Sequence, residues 1–261
     1  MIDLAEIRAG LLRDEFFLEY LPTISLDDGR CIGAEALIRW RRNGVVVPPL
    51  EFVPPTDRTP LAGLITYWVI ERVRTELGSW LKAHPDAHVG INAPPEILGR
   101  GGLAYAASKS GLSDFTSQVM LEITERGVPD ALGVEAINAR GDMGAKIALD
   151  DVTLVGGANL AVLARCHFDA IKLDKSLIDQ IVLNGPVPKW LPALTALLQL
   201  STFQVIAEGV EREDQFLTLR AANIQAAQGF YFSRPVPLEQ FVAFHQRRNE
   251  QQQQQAGGHP A

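Results

Sequence analysis

Polar side chains that can bind cations or phosphate end a series of short apolar runs in this chain, and helical stretches separate most of these runs. The side chains that end the runs are Glu35, Asn92, Glu122, Asp150, Asp151, Lys172, Glu208 and Gln228. This alternation is typical of parallel strands that close into a barrel with helices outside. Because the carboxyl ends of such strands converge on one face, we expect these side chains to share a single pocket.

Five of these side chains are carboxylates, and carboxylates at that density repel one another unless cations neutralise them. The pattern therefore predicts a divalent-metal site. All the candidate ligands are oxygen donors, with no Cys or His among them, which favours Mg2+ or Mn2+ over zinc or copper. Two such ions can together bind and orient a hydroxide and stabilise a departing oxygen. Asp150, which adjoins Asp151, is the natural ligand to bridge them.

The length of 261 residues fits one large α/β barrel, which we place at residues 1–245. The remainder, residues 246–261, is polar and Gln-rich, so we expect it to be disordered or a loosely attached helical extension. The net charge of −7 argues against a nucleic-acid polymer as partner. It would also repel an anionic substrate unless bound cations reversed the sign locally.

The compartment can be predicted from the termini and the cysteines. Residues 1–8 are charged and amphipathic, unlike a signal peptide, and no apolar run approaches the ~20 residues that cross a bilayer. Cys31 and Cys166 are the only cysteines, and neither belongs to a CxxC pair. We therefore expect a reduced, cytoplasmic protein without a membrane segment.

A set of short motifs resembles the EAL family of cyclic di-GMP phosphodiesterases, in the order that this family has them. The first, Glu35-Ala36-Leu37, contains the three letters that name the family. The others are Asn92-Ala93-Pro94-Pro95, Leu121-Glu122-Ile123-Thr124-Glu125, Asp150-Asp151, Lys172-Leu173-Asp174, Ala207-Glu208-Gly209-Val210-Glu211 and Gln228-Gly229-Phe230. The resemblance spans roughly residues 8 to 240. It implies a (β/α)8 TIM-type barrel with one antiparallel strand, which hydrolyses cyclic di-GMP to linear pGpG.

Carried over position by position, the resemblance also implies roles for individual residues. It assigns one metal site to Glu35, Asn92, Glu122 and Asp150, and a second to Asp150, Asp151 and Glu208. It places Lys172 near the attacking water and gives substrate contacts to Arg39, Leu37 and Gln228, with Arg39 on a phosphate. Glu208 and Lys172 count as catalytic, and so does Glu125, which matches a glutamate that anchors the loop after the paired aspartates. Homodimerisation is a further family expectation.

The chain departs from the family pattern in that loop. Between Val152 and Asn159, the positions where the family usually has Phe, Thr and Ser carry Val152, Leu154 and Ala158, and the stretch is longer than usual by one residue. Leu21 and Pro94 stand where Gln and Ser are common. These changes remove polar groups, so a catalytically weak or inactive cyclic di-GMP receptor, or a protein-interaction regulator, stays open beside the enzyme. A phosphodiesterase for another nucleotide is a third, more distant alternative.

Simpler explanations compete for individual residues. Arg39 could pair with a neighbouring carboxylate instead of a phosphate. The five histidines do not fall at the proposed strand ends, which favours surface or packing roles. The neighbours Cys166 and His167 could suggest a nucleophile, but adjacent strand residues point to opposite faces, so we set that hypothesis aside.

Overall fold

The computed structural model describes residues 2–124, 129–139, 144–153, 165–198 and 201–257. The strands are β1 (Phe16–Ser25), β2 (Cys31–Arg42), β3 (Val45–Val47), β4 (His88–Asn92), β5 (Val119–Thr124), β6 (Lys146–Val152), β7 (Ala170–Leu173), β8 (Gln204–Ala207) and β9 (Ala226–Ala227). The helices in these ranges are α1 (Leu4–Leu12), α2 (Pro49–Phe52), α3 (Pro60–Ala83), α4 (Gly102–Ser110), α5 (Ala131–Asn138), α6 (Lys175–Ile178), α7 (Trp190–Leu198), α8 (Glu213–Ala221) and α9 (Leu238–Gly257).

The strands close into a barrel in the order β1, β9, β8, β7, β6, β5, β4, β2, and β1 pairs with β2 to complete the ring. Neighbours from β2 through β9 are parallel, whereas β1 is antiparallel to both β2 and β9. Strand β3 lies outside the ring as the second strand of a hairpin with β2. The predicted TIM-type barrel with one antiparallel strand is therefore confirmed.

Helix α3 shows how the sequence directs the outer layer. Thr59 caps its first turn by accepting a hydrogen bond from the Leu61 N–H, and Pro60 occupies the first helical position. Its buried face recurs every three or four residues, as a helix that packs on a barrel requires. That face includes Ile65, Val69, Val73, Leu77 and Trp80.

A small apolar layer fills the barrel beneath the strand ends. Each member precedes one of the predicted site residues by two positions, and residues two apart in a strand point to the same face. The layer consists of Met120, Ala148, Ala170, Ile206 and Ala226. The polar side chains two positions further along each strand therefore pack on this apolar layer instead of lining a water-filled channel.

The polar C-terminal segment continues helix α9 as far as Gly257. Of the two forms expected for this segment, residues 246–257 have the helical one, and the proposed boundary at 245 falls inside this helix. Arg248 Nε donates to the Gly29 carbonyl at 2.8 Å. Asn249 accepts from the Cys31 N–H and donates to the Cys31 carbonyl. These bonds tie the helix to the β1–β2 turn, so an attached helical extension is the form present. Residues 258–261 lie outside the described residues.

The described helices include no candidate for a membrane span. None of them combines the length and the apolar character that a bilayer crossing requires.

Candidate functional site

Strand register brings the predicted side chains to one level of the barrel. Asn92 lies opposite Glu122 across β4 and β5, and Glu35 lies opposite Gly90 across β2 and β4. The backbone N–H of Glu208 donates to the Leu173 carbonyl, which places this residue immediately above β7 and β8. A side chain at Gly90 would overlap the Glu122 carboxylate, so glycine is needed beneath the site.

These residues surround a cavity of about 600 Å³ at the carboxyl ends of the parallel strands. The predicted residues on its wall are Glu35, Leu37, Arg39, Asn92, Asp150, Asp151, Glu208 and Gln228. Glu122 and Lys172 are 2% and 0% exposed and lie in the barrel interior. The structure therefore brings together every predicted site residue that it describes. Glu125 and residues 154–159 of the altered loop lie outside the described residues.

The Lys172 ammonium sits among four carboxylates. Its Nζ lies 2.6 Å from Glu208 Oε1, 2.7 Å from Glu122 Oε2 and 3.0 Å from Glu35 Oε2. Asp150 Oδ1 is 3.4 Å away. A buried ammonium with four anionic neighbours is strongly held in its charged form, but one positive charge does not balance four carboxylates.

The excess negative charge of this cluster, together with burial, shifts the pKa values of its carboxyl groups. Burial, together with the charges of Asp150 and Glu35, raises the pKa of Glu208 to about 8 despite the attraction of Lys172. Burial and the Glu35 charge raise the pKa of Glu122 well above its usual value. Burial alone would lower the pKa of Lys172, but its carboxylate neighbours raise it well above the usual range. The cluster thus binds protons more tightly than isolated carboxylates do.

Glu35 is the exception among these acids. Burial acts to raise its pKa, but the Lys172 charge and a hydrogen bond from Asn92 Nδ2 at 2.8 Å outweigh burial, so the pKa falls below the usual value. This carboxylate is therefore held ionised in the centre of the cluster.

The paired aspartates reach the same site because the strand is irregular there. The pairing of β6 with β7 shifts register between Leu149 and Val152, and Asp151 adopts a left-handed backbone with φ of 56°. In a regular strand these neighbours would point to opposite faces. Instead, one oxygen each of Asp150, Asp151 and Glu208 lies within 4.8 Å of the others.

This donor set fits hard divalent cations. The carboxylates converge within a few ångströms, the amide of Asn92 adds a further oxygen, and no sulfur or imidazole ligand takes part among the described residues. Oxygen-only sites of high negative charge bind Mg2+, Mn2+ or Ca2+ in preference to softer metals.

The antiparallel strand β1 contributes Thr23 and Glu19, which the strand-end pattern did not reveal. Gln228 Nε2 donates to Thr23 Oγ1 at 2.8 Å, while Gln228 Oε1 is buried without a partner among the described residues. Arg39 Nε donates to Glu19 Oε2 at 2.7 Å, which is the carboxylate pairing considered above as the simpler alternative. Since β1 runs in the opposite direction, its inward residues meet the site from the middle of the strand. In the sequence, only the alternation of inward-facing positions along β1 could have indicated Glu19 and Thr23.

Comparison with known proteins identifies the family of this chain. Residues 4–235 match the family model described as the EAL domain. The chain belongs to the EAL domain family. Within that family it is similar to the Escherichia coli protein named probable cyclic di-GMP phosphodiesterase PdeB, with 30% identity over 234 residues. It is also similar to the Pseudomonas aeruginosa protein named cyclic di-GMP phosphodiesterase NbdA, with 30% identity over 248 residues.

Among solved structures, the PaMucR phosphodiesterase in complex with c-di-GMP is similar to this chain, with a TM-score of 0.79 and 27% identity. That match covers 91% of this chain and 98% of the solved one. The curated EAL relatives are longer, however. The match to PdeB covers 86% of this chain but only 43% of PdeB. The match to NbdA covers 92% of this chain but only 31% of NbdA.

Proposed function

We propose that this chain hydrolyses one phosphodiester bond of cyclic di-GMP to give linear pGpG. The observation that carries the proposal is a single cavity lined by four of the predicted carboxylates and two amides, with the buried Lys172 paired both to Glu35 on its wall and to the buried Glu122, in a chain of the EAL family. The names of the relatives PdeB, NbdA and PaMucR support cyclic di-GMP as the substrate.

The proposed cofactor is a pair of Mg2+ or Mn2+ ions. Glu35, Asn92, Glu122 and Asp150 would hold one, and Asp150, Asp151 and Glu208 the other. When bound, such ions activate a water for attack on phosphorus and stabilise the departing ribose oxygen.

The chain's own residues supply positioning and charge. Lys172 stays protonated, so it contributes positive charge beside the phosphorus without acting as a proton carrier. Arg39 lines the cavity and would bind a substrate phosphate, with Leu37 and Gln228 on the same wall. The apolar layer beneath the site keeps water away from the cluster and strengthens these electrostatic contacts. A role for Glu125 in holding the following loop remains part of this proposal.

Substitution of Glu35 by Ala tests the assignment, because this carboxylate contacts both Lys172 and Asn92. We expect purified E35A to lose cyclic di-GMP turnover in Mg2+ and in Mn2+. Glu239, an exposed acid in the first turn of α9, provides the matched control, and E239A should keep wild-type turnover. Unchanged turnover in E35A would contradict the proposed site.

A receptor that binds cyclic di-GMP without cleaving it is the second candidate. The observation that favours it is the sequence from Val152 to Asn159, where polar residues of the family pattern are replaced by apolar ones and glycines. Precise positioning of the reacting groups is needed for catalysis but less so for binding. Binding with no pGpG formed in either metal would favour the receptor, and absence of binding would favour a protein partner.

The assembly and compartment are further parts of the proposal. We propose a homodimer on the family expectation, which sedimentation of the purified chain would test. A cytoplasmic location is consistent with Cys31 and Cys166, which are both buried and free. Fractionation of cells with an antibody against the chain would test it.

A further inference from the structure

Arg39 is held by a carboxylate from the antiparallel strand. Glu19 on β1 accepts a hydrogen bond from Arg39 Nε over 2.7 Å, and the two side chains are 26% and 14% exposed. Glu19 lies opposite Leu37 in the register of β1 and β2, so Arg39 occupies the diagonal position two residues further along β2. Long side chains reach across that diagonal. The pairing is thus set by the strands that close the barrel.

The contacts of the guanidinium leave one edge open. An arginine has five N–H donors in a planar fork. In Arg39, Nε donates to Glu19, and Nη1 donates to the Ile38 carbonyl at 3.0 Å. The Nη2 group has no hydrogen-bond partner among the described residues, and the side chain lines the cavity. Glu19 therefore anchors the inner nitrogen, while Nη2 and the second N–H of Nη1 remain available to an anion.

We propose that Glu19 is a positioning residue, which fixes the Arg39 guanidinium with its Nη edge toward a phosphate of the substrate. This inference rests on the proposed function, in which Arg39 binds that phosphate. An unpaired arginine side chain samples many rotamers, and ordering it opposes binding. Because Glu19 orders the side chain before substrate arrives, binding no longer has to supply that entropy.

If Glu19 instead competed with the phosphate for Arg39, removal of Glu19 would lower KM and Kd for the substrate. The geometry favours positioning. Glu19 contacts Nε through a single oxygen and leaves open the edge formed by the two Nη groups, which can bind a phosphate in a bidentate manner. Removal of a competitor would tighten substrate binding, whereas removal of a positioning group would weaken it.

The test measures KM and kcat for cyclic di-GMP in Mn2+, and Kd by calorimetry in Ca2+, for wild type and E19A. We expect KM and Kd to rise about three- to tenfold while kcat stays within about twofold, because uniform binding is lost. The E19Q variant keeps an acceptor for Arg39 Nε and should recover part of the loss. The matched control is D28N, which removes the charge from the Arg30–Asp28 pair at the other end of the same hairpin and should match wild type.

A double-variant comparison separates positioning from a general structural effect. If Glu19 acts through Arg39, the E19A change should have no further effect on KM or Kd in a protein that already carries R39A. An equal effect in both backgrounds, or a KM of E19A at or below that of wild type, would overturn the proposal. Equal binding and cleavage of cyclic di-GMP by the wild type and E19A refutes the Glu19 role alone. A wild type that neither binds nor cleaves it refutes the proposed function as well.

Discussion

Replacing Lys172 with methionine should destabilise the cation-free protein and make its stability depend strongly on divalent ions. Methionine has a similar length and keeps the buried volume, but it removes the ammonium that contacts Glu35, Glu122, Asp150 and Glu208. These carboxylates are then left buried without the cation that they share.

The size of the effect follows from that burial. Removing one partner of a buried ion pair costs about 3 to 5 kcal/mol. For a chain of this size, each kcal/mol lowers Tm by about 2 to 4 °C, which gives a fall of roughly 6 to 20 °C. The loss should be smaller near pH 6 than near pH 9, because Glu208, with its pKa of about 8, can accept a proton at the lower pH.

Thermal unfolding followed by circular dichroism, in EDTA and in Mn2+, measures this effect. Mn2+ at 100 times its Kd would add about 2.7 kcal/mol per site, and we expect K172M to gain more from the ion than wild type. The control is Lys175→Met, which removes an exposed lysine that pairs with Asp179 and Glu211 and should cost less than about 1 kcal/mol. A K172M protein as stable as wild type in EDTA, with no response to Mn2+, would refute this account of the cluster.

Three further outcomes follow from the same contacts. Cation affinity, measured by calorimetry, should rise as pH increases from 6.5 to 8.5, because the ion displaces a proton from Glu208, whose pKa is about 8; a flat profile would contradict this. Burial lowers the pKa of His245 to about 4, so the stability that it contributes is complete above pH 6.5 and lost as pH falls toward 4, by up to about 3 kcal/mol. Urea unfolding at pH 7 and pH 4.5 should show a smaller acid loss in H245Q. Asn249→Ala removes both hydrogen bonds to the Cys31 backbone and should cost about 1 to 3 kcal/mol, with faster hydrogen exchange in the second half of α9; unchanged exchange would show that these bonds do not hold the helix.

The strand-end residues could be predicted from the sequence because barrel topology leaves little freedom there. Once Glu122 and Glu208 are placed at the ends of parallel strands, the register carries both to the same face. The complete burial of Lys172, which is 0% exposed, could not be predicted in this way. The exposure of a side chain inside the barrel depends on the space that the side chains of neighbouring strands leave around it.

Other features depend on geometry that a linear pattern does not encode. Glu19 and Thr23 meet the site from the middle of β1, so a search for strand ends passes over them. In helix α3, Leu64 is 46% exposed while its apolar neighbour Ile65 is buried, so apolar character alone does not identify the buried face. The polar tail forms a helix because Asn249 and its neighbours bond to the barrel, a tertiary effect that outweighs composition.

Turnover of cyclic di-GMP by the purified chain, with chromatography of the products in Mg2+ and in Mn2+, decides whether the site hydrolyses this nucleotide. We expect pGpG in the presence of either ion, none in EDTA and none with E35A. Intact cyclic di-GMP under every condition, from protein shown by calorimetry to bind the metal, would contradict the proposed hydrolysis.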